Sequence, residues 1–199
     1  MFSFVSVREK TGVDLCKKMG LLNTEWSPDP TMLLDVSVYR DLYKNANIKD
    51  KLGKEYVFVY LLNNKTKFSM NKLYKWAKSK NLDIVYITGN SKFDRFKKLY
   101  LTIHEWLYYL DNAAYVVTNS FHCCVFSLLF QKKVIPILLS GKDKKMNSRI
   151  NELFEQFDIG AKFEDYNFRD FNKTQNWTSI AAVLDWIKNK PCFINTLEL

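Results

Sequence analysis

From Tyr56 onward, short apolar runs alternate with segments whose apolar positions recur at helical spacing. Tyr56–Leu62, Asp83–Thr88, Ala114–Thr118 and Val134–Leu139 read as strands. Ser69–Lys80, Thr102–Asp111, Ser120–Gln131 and Ser148–Phe157 read as the helices that follow them. In the last of these, Ile150, Leu153, Phe154 and Phe157 fall at i, i+3, i+4 and i+7, one buried face. A final helix covers Thr178 to Lys188, with Ile180, Val183, Leu184 and Ile187 inward. Upstream, Phe2–Val7 reads as a strand and Gly12–Met19 as a short helix stopped by Gly20. Pro28-Asp29-Pro30 breaks the chain, and Val36–Asn45 resumes as a helix. The polar stretch Asn45–Lys54 reads as a linker.

Strands alternating with helices predict an α/β fold with a doubly wound parallel sheet. The strands lack polar alternation, as expected when helices cover both faces. Right-handed crossovers then gather the loops after each strand on one edge, where such sheets bind ligands. Those loops are Asn63–Phe68, Gly89–Phe96, Asn119–His122 and Ser140–Asn147. Neither G-x-G-x-x-G nor a P-loop is present, so dinucleotide and NTPase readings have little support.

One of those loops carries candidate chemistry. Thr118-Asn119-Ser120-Phe121-His122 links the apolar strand Ala113–Val117 to the apolar helix from Cys123 to Phe130, whose polar exception is Ser127. That order puts a histidine in the first turn of a helix, where unpaired N–H groups and the positive end of the dipole favour an anion. An imidazole there can bind the anion or transfer a proton; the plainer role is to help cap the helix. Arg8, Lys142 and Arg149 fall at or near the same strand edge: Arg8 after the first strand, Lys142 in the loop after the last, Arg149 opening the next helix. Each alone reads as a solvated cation. Together they suit a small, multiply charged ligand, arginine pairing a flat carboxylate and lysine a phosphate.

The 199 residues suffice for one full core, or for one domain and part of another. A 47% apolar and 16% aromatic composition excludes disorder. No apolar run is long enough to span a bilayer, and the N-terminus lacks signal-peptide character. Cys16, Cys123, Cys124 and Cys192 have no metal spacing and are read as reduced, with no zinc site. The net charge of +9 is lopsided: residues 1–100 hold 19 basic against 10 acidic groups, and residues 101–199 hold 11 of each. Lys72, Lys75 and Lys78 lie opposite Met70, Leu73, Tyr74 and Ala77 on one helix, so a solvated face explains much of the surplus. No nucleic-acid motif accompanies it, and nucleic acid is not an expected partner. Peripheral attraction to anionic headgroups at a membrane surface stays open.

Several ordered blocks resemble the polysaccharide pyruvyl transferase family: Val5-Ser6-Val7-Arg8-Glu9, Asp29-Pro30-Thr31-Met32-Leu33-Leu34, Glu105-Trp106-Leu107, Tyr115 to His122, and Val125 to Phe130. The resemblance implies the C-terminal portion of the family's two-domain, GT-B-like plan, a Rossmann-like domain, with the usual N-terminal domain largely absent. Residues 1–45 are expected to be closing elements of that domain and a linker helix. Residues 46–175 are expected to be the donor-binding domain, and residues 176–199 a C-terminal helix and tail. The departures are Cys123-Cys124 where members often carry Gly-Thr, and Lys133 where a proline is usual before the last core strand.

The resemblance also implies the reaction: the enolpyruvyl group of phosphoenolpyruvate moves onto two sugar hydroxyls as a ketal, releasing phosphate, in cell-surface or exopolysaccharide biosynthesis. The donor is a substrate, and no cofactor is expected. Carried over by motif, His122 is the acid or an essential phosphate ligand, Arg8 binds substrate, and Ser120 and Phe121 flank the histidine. Lys142 or Arg149 supplies a downstream basic contact. The acceptor is a sugar or lipid-linked oligosaccharide, and the expected location is cytoplasmic, with the inner face of the membrane as an option. The alternatives are a truncated remnant that binds anions without turnover, and a GT-B nucleotide-sugar glycosyltransferase. An N-terminal domain supplied in trans, or self-association through Phe2, Phe4 and the Val36–Tyr43 helix, completes the expected partners.

Overall fold

Along β3 (Tyr56–Leu61) successive side chains enter opposite cores, as strand geometry requires. Tyr56 and Phe58 join one buried cluster, while Val57, Val59 and Leu61 join another. The structure, a computed structural model, describes residues 4–44, 48, 52–62, 66–88, 95–159 and 176–189. In it β3 pairs in parallel with β4 (Asp83–Thr88) on one side and β5 (Tyr115–Thr118) on the other, and β5 pairs with β6 (Lys133–Pro136). The four-stranded order is β4-β3-β5-β6. This is the expected α/β, Rossmann-like parallel sheet.

The helices follow from the crossover rule. Helix α3 (Met70–Ser79) places Leu73 and Ala77 in the cluster on one sheet face. Helices α4 (Ile103–Asp111) and α5 (Phe121–Leu129) place Leu107, Leu110, Cys123 and Leu128 in the cluster on the other. The chain leaves β3 toward β4 and returns past β3 to β5, so its direction reverses between β3 and β5. The crevice beyond the carboxyl ends of those two strands is the usual ligand site of such sheets.

Helix ends are set locally. Thr102 and Glu105 form a reciprocal capping box at the start of α4. Ser120 caps α5, its Oγ accepting from the Cys123 N–H. Asn81, Gln131 and Asp158 take left-handed backbone just after α3, α5 and α6 (Ser148–Gln156), a common way for a helix to stop. That geometry ends α5 at Leu129, two residues before the expected Gln131. The last core strand is also shorter than the expected Val134–Leu139, because its neighbour β5 ends at Thr118, opposite Pro136. Beyond it the buried Asn147 side chain takes over, donating to the Leu139 carbonyl and accepting from the Leu139 N–H.

Ahead of the main sheet, β1 (Val5–Val7), α1 (Lys10–Lys18) and β2 (Thr24–Trp26) form a separate two-stranded parallel unit. Thr24-Glu25-Trp26 is too short and polar to read as a strand in the sequence. A 3₁₀ turn at Pro30–Met32 follows, then α2 (Val36–Lys44). Tyr39 of α2 is buried in the main core, while Val38 and Leu42 on the same helix are exposed. Most of the stretch 45–54 read as linker lies outside the described residues, and Ile48 within it is buried in the core. Helix α7 (Trp177–Asn189) buries Ile180, Leu184 and Ile187, and Val183 packs partly against the same core. Among the described residues no helix is long and apolar enough to cross a membrane.

Candidate functional site

Asp29 lies at the centre of the candidate site. It follows Pro28 and precedes the 3₁₀ turn, whose first free N–H groups need an acceptor. Its Oδ1 takes the Thr31 N–H at 3.1 Å and the Thr31 hydroxyl at 2.7 Å. Its Oδ2 accepts from Arg8 Nη1 at 2.8 Å and lies 3.5 Å from His122 Nε2. Burial by itself raises the Asp29 carboxyl, but the Thr31 hydroxyl and amide, the Arg8 guanidinium and the His122 charge outweigh it and hold it below its ordinary value. Asp29 is therefore an ionised, buried anchor for two side chains that face outward. The Arg8 side chain is 45% exposed and that of His122 53%.

The neighbouring wall comes from α5 and α6. The Arg149 guanidinium lies over the Phe121 ring, 4.5 Å from its centroid, a cation–π placement that fixes its plane. Arg149 Nε is 2.8 Å from Glu9 Oε1, yet the N–H is not aimed at that oxygen and makes no hydrogen bond. The contact is an ion pair of close distance and poor alignment. Glu152, one turn along α6, accepts from the Lys10 N–H and the Thr11 hydroxyl at 2.8 Å each, so it occupies the N-terminus of α1.

These groups enclose a cleft of about 30 Å³, room for about two waters. Its charged lining is Arg8, Lys10 and Arg149 against Glu9, Asp29 and Glu152, so the interior is balanced. Arg8 and His122, both reaching Asp29, turn half-exposed side chains to solvent beside it.

Arg8, Phe121, His122 and Arg149 are thus brought together, as the sequence suggests. Ser120 is beside them but buried, its Oγ accepting from the helix. Lys142 is exposed within the 3₁₀ segment Gly141–Asn147, not the open loop expected, and does not line the cleft. Sequence reasoning missed Asp29, Glu9 and Glu152. The signal for Asp29 was present in Asp-Pro-Thr, an acceptor followed by proline at the first position of a turn. Nothing local marks Glu9 or Glu152, whose roles arise from α6 meeting α1.

Cys123 and Cys124 are fully buried and reduced, and burial pushes the Cys123 thiol up to about 12. They serve as small core residues. Among the described residues no group of histidine, cysteine, aspartate and glutamate could hold a metal ion.

Comparison with protein families finds a match to the model described as polysaccharide pyruvyl transferase over residues 1–141. No curated protein and no solved structure matches the chain.

Proposed function

Because the chain belongs to the polysaccharide pyruvyl transferase family, we propose that it supplies the phosphoenolpyruvate-binding side of a pyruvyl transfer to a sugar. The observation that carries this reading is the convergence of Arg8 and His122 on buried Asp29 at the mouth of the cleft. Phosphoenolpyruvate is larger than the cleft's interior, so it sits at that mouth. Arg8 pairs one of its anionic ends, and Arg149, presented by Phe121, is the second cation once it leaves Glu9. His122 gives a proton to the methylene carbon. One acceptor hydroxyl then attacks the cationic carbon and loses its proton. Phosphate departs with the C–O bonding pair, and the second hydroxyl adds to the same carbon and closes the ketal, its proton passing to the released phosphate. The cationic groups stabilise the charge on the leaving phosphate.

The acceptor in this reading is a sugar of a cell-surface polysaccharide or its lipid-linked precursor. Residues 46–175 carry the donor side, and the β1–α1–β2 unit contributes Arg8 from outside it. A second reading is anion binding at Arg8 without turnover, because Glu9 already occupies Arg149 and Glu152 the N-terminus of α1, which leaves fewer cationic groups for the departing phosphate.

Calorimetric titration of the chain with phosphoenolpyruvate tests the proposal, with inorganic phosphate and pyruvate as comparators. Saturable binding stronger than either comparator, and lost in both Arg8→Ala and His122→Ala, is expected. Absence of binding in a folded chain overturns it. Binding without phosphate release in the presence of any acceptor selects the second reading.

A further inference from the structure

Most of the chain's surplus positive charge lies in one stretch. Residues 62–104 hold ten basic against two acidic residues, a net +8 of the total +9. Within it, α3 carries exposed Lys72, Lys75 and Lys78 and no acidic residue. Lys72 stands in the first turn, against the positive end of the helix dipole. The three lysines recur at i, i+3, where like charges repel, with no carboxylate on the helix to pair them. Electrostatics within the helix disfavour that pattern, so the stability of α3 does not account for it.

The tertiary structure extends this basic face. Arg95 Nη2 donates to Asn71 Oδ1 in the first turn of α3, and Phe96 stacks on Tyr74 with ring centroids 4.7 Å apart. Residues 95–98 therefore lie against α3 and add exposed Arg95 and Lys97 to its lysines. The segment then passes around β4, an edge strand. Phe96 packs with the cluster beneath α3, the Leu99 N–H donates to the Tyr86 carbonyl at 2.8 Å, and Leu101 packs with the opposite cluster. That path leaves Tyr100 88% and Ile103 74% exposed. Both line one recess at the carboxyl ends of β3 and β4.

Two large apolar side chains in water, bordered by a surplus of cations, match the chemistry of an anionic lipid surface. Lysine and arginine meet lipid phosphates, a tyrosine ring sits at headgroup level with its hydroxyl wet, and isoleucine reaches the acyl boundary. Carboxylates do not offset the cations here among the described residues. Glu105 accepts from the Thr102 N–H and hydroxyl at the start of α4, and Asp83 opens β4 at the opposite edge of the sheet. A nucleic acid also attracts cations, but it has no apolar layer to receive Ile103.

We propose that this corner of the domain docks on an anionic phospholipid surface, with Lys72, Lys75, Arg95 and Lys97 over the headgroups and Tyr100 and Ile103 entering them. β4 lies two strands, about 10 Å, from β5, whose carboxyl end leads into His122. Docking therefore brings the carboxyl edge of the sheet to the lipid. The assignment does not depend on the pyruvyl-transfer reading.

The test is co-sedimentation of the full chain with vesicles of phosphatidylcholine containing about one-third phosphatidylglycerol, and with vesicles of phosphatidylcholine alone. Partitioning about tenfold or more stronger onto the anionic vesicles, and weakened by salt, is expected. Lys72→Gln, Lys75→Gln and Lys97→Gln together should lower it by about fivefold per charge. Tyr100→Ser with Ile103→Ser should lower it by about tenfold, with Tm unchanged because both side chains are exposed. Equal partitioning onto both vesicles, no binding, or binding that survives either set of substitutions overturns the proposal. So does tighter binding to polyuridine RNA that is indifferent to Tyr100→Ser and Ile103→Ser, which marks a nucleic-acid face. None of the substituted residues lines the first cleft, so phosphoenolpyruvate calorimetry should be unchanged in these variants. Affinity lost there places the residues in the donor site and overturns a separate surface, whereas no phosphoenolpyruvate binding in the parent counts against the donor reading alone.

Discussion

The buried carboxylate of Asp29 lies 3.5 Å from His122 Nε2 while also accepting the Arg8 guanidinium. Its partners come from two separate parts of the chain, β1–α1 and the N-terminus of α5. Because Asp29 is also tied to Thr31, any load on His122 or Arg8 is transmitted to a rigid turn rather than to a free side chain. Orientation of an imidazole by a fixed carboxylate is a recurrent arrangement for proton transfer.

Asp29→Asn removes the charge and keeps the size. His122 loses its electrostatic anchor but keeps its place at the mouth. The expected result is a fall in kcat of about tenfold or more with phosphoenolpyruvate affinity changed far less. A Kd that worsens as much as kcat falls would show Asp29 acting on binding alone. Calorimetry beside a phosphate-release assay separates the two.

Asp29 also makes stability depend on pH. Its folded value lies below the ordinary 3.8, so its contribution is fully present above about pH 4 and is lost as pH falls through the folded value. The Tm difference between the parent and Asp29→Asn should therefore be largest near neutrality and shrink below pH 4. A difference that grows on acidification contradicts this sign.

Cys123 and Cys124 should resist alkylation in the folded chain. Both thiols are fully buried and burial raises them, Cys123 to about 12, so almost no thiolate exists at pH 8. Iodoacetamide followed by peptide mass spectrometry should modify both under denaturing conditions and neither when folded. Cys16, half-buried on α1, should react faster than either.

The capping box at α4 has a measurable worth. Thr102→Ala removes the acceptor for the Glu105 N–H and one donor to the Glu105 carboxylate. A loss of about 1 kcal/mol, seen as a Tm lower by about 2–4 °C, is expected from thermal unfolding. Glu105→Gln, which can still accept from Thr102, should lose less.

Phe121→Leu keeps an apolar side chain but removes the ring beneath Arg149. Arg149 then loses its plane and keeps the poorly aligned Glu9 contact. Phosphoenolpyruvate affinity should fall by about three- to tenfold with little change in Tm. Equal affinities in the two proteins would separate Arg149 from the donor site.

Local chemistry made much of this molecule legible from residue order. The apolar runs Tyr56–Leu61 and Asp83–Thr88 could be covered only by helices on both faces, which dictates a parallel sheet. The helix starts at Thr102 and Ser120 and the buried face of α6 depend on neighbours at most a few residues away, and spacing reveals them; the Ser120 cap and the Thr102–Glu105 box came from the structure. His122 at a helix start was visible for the same reason. What folding alone decided are contacts between distant segments: Asp29 joining Arg8 to His122, Glu9 facing Arg149, and Glu152 on α1. Lys142 shows the reverse, sharing a sheet edge with His122 in sequence logic but carried out of the cleft by a 3₁₀ segment. Periodicity encodes which face of an element is buried. Which side chains meet across elements depends on the angles and offsets at which packed helices and strands come to rest, and no short window of sequence contains them.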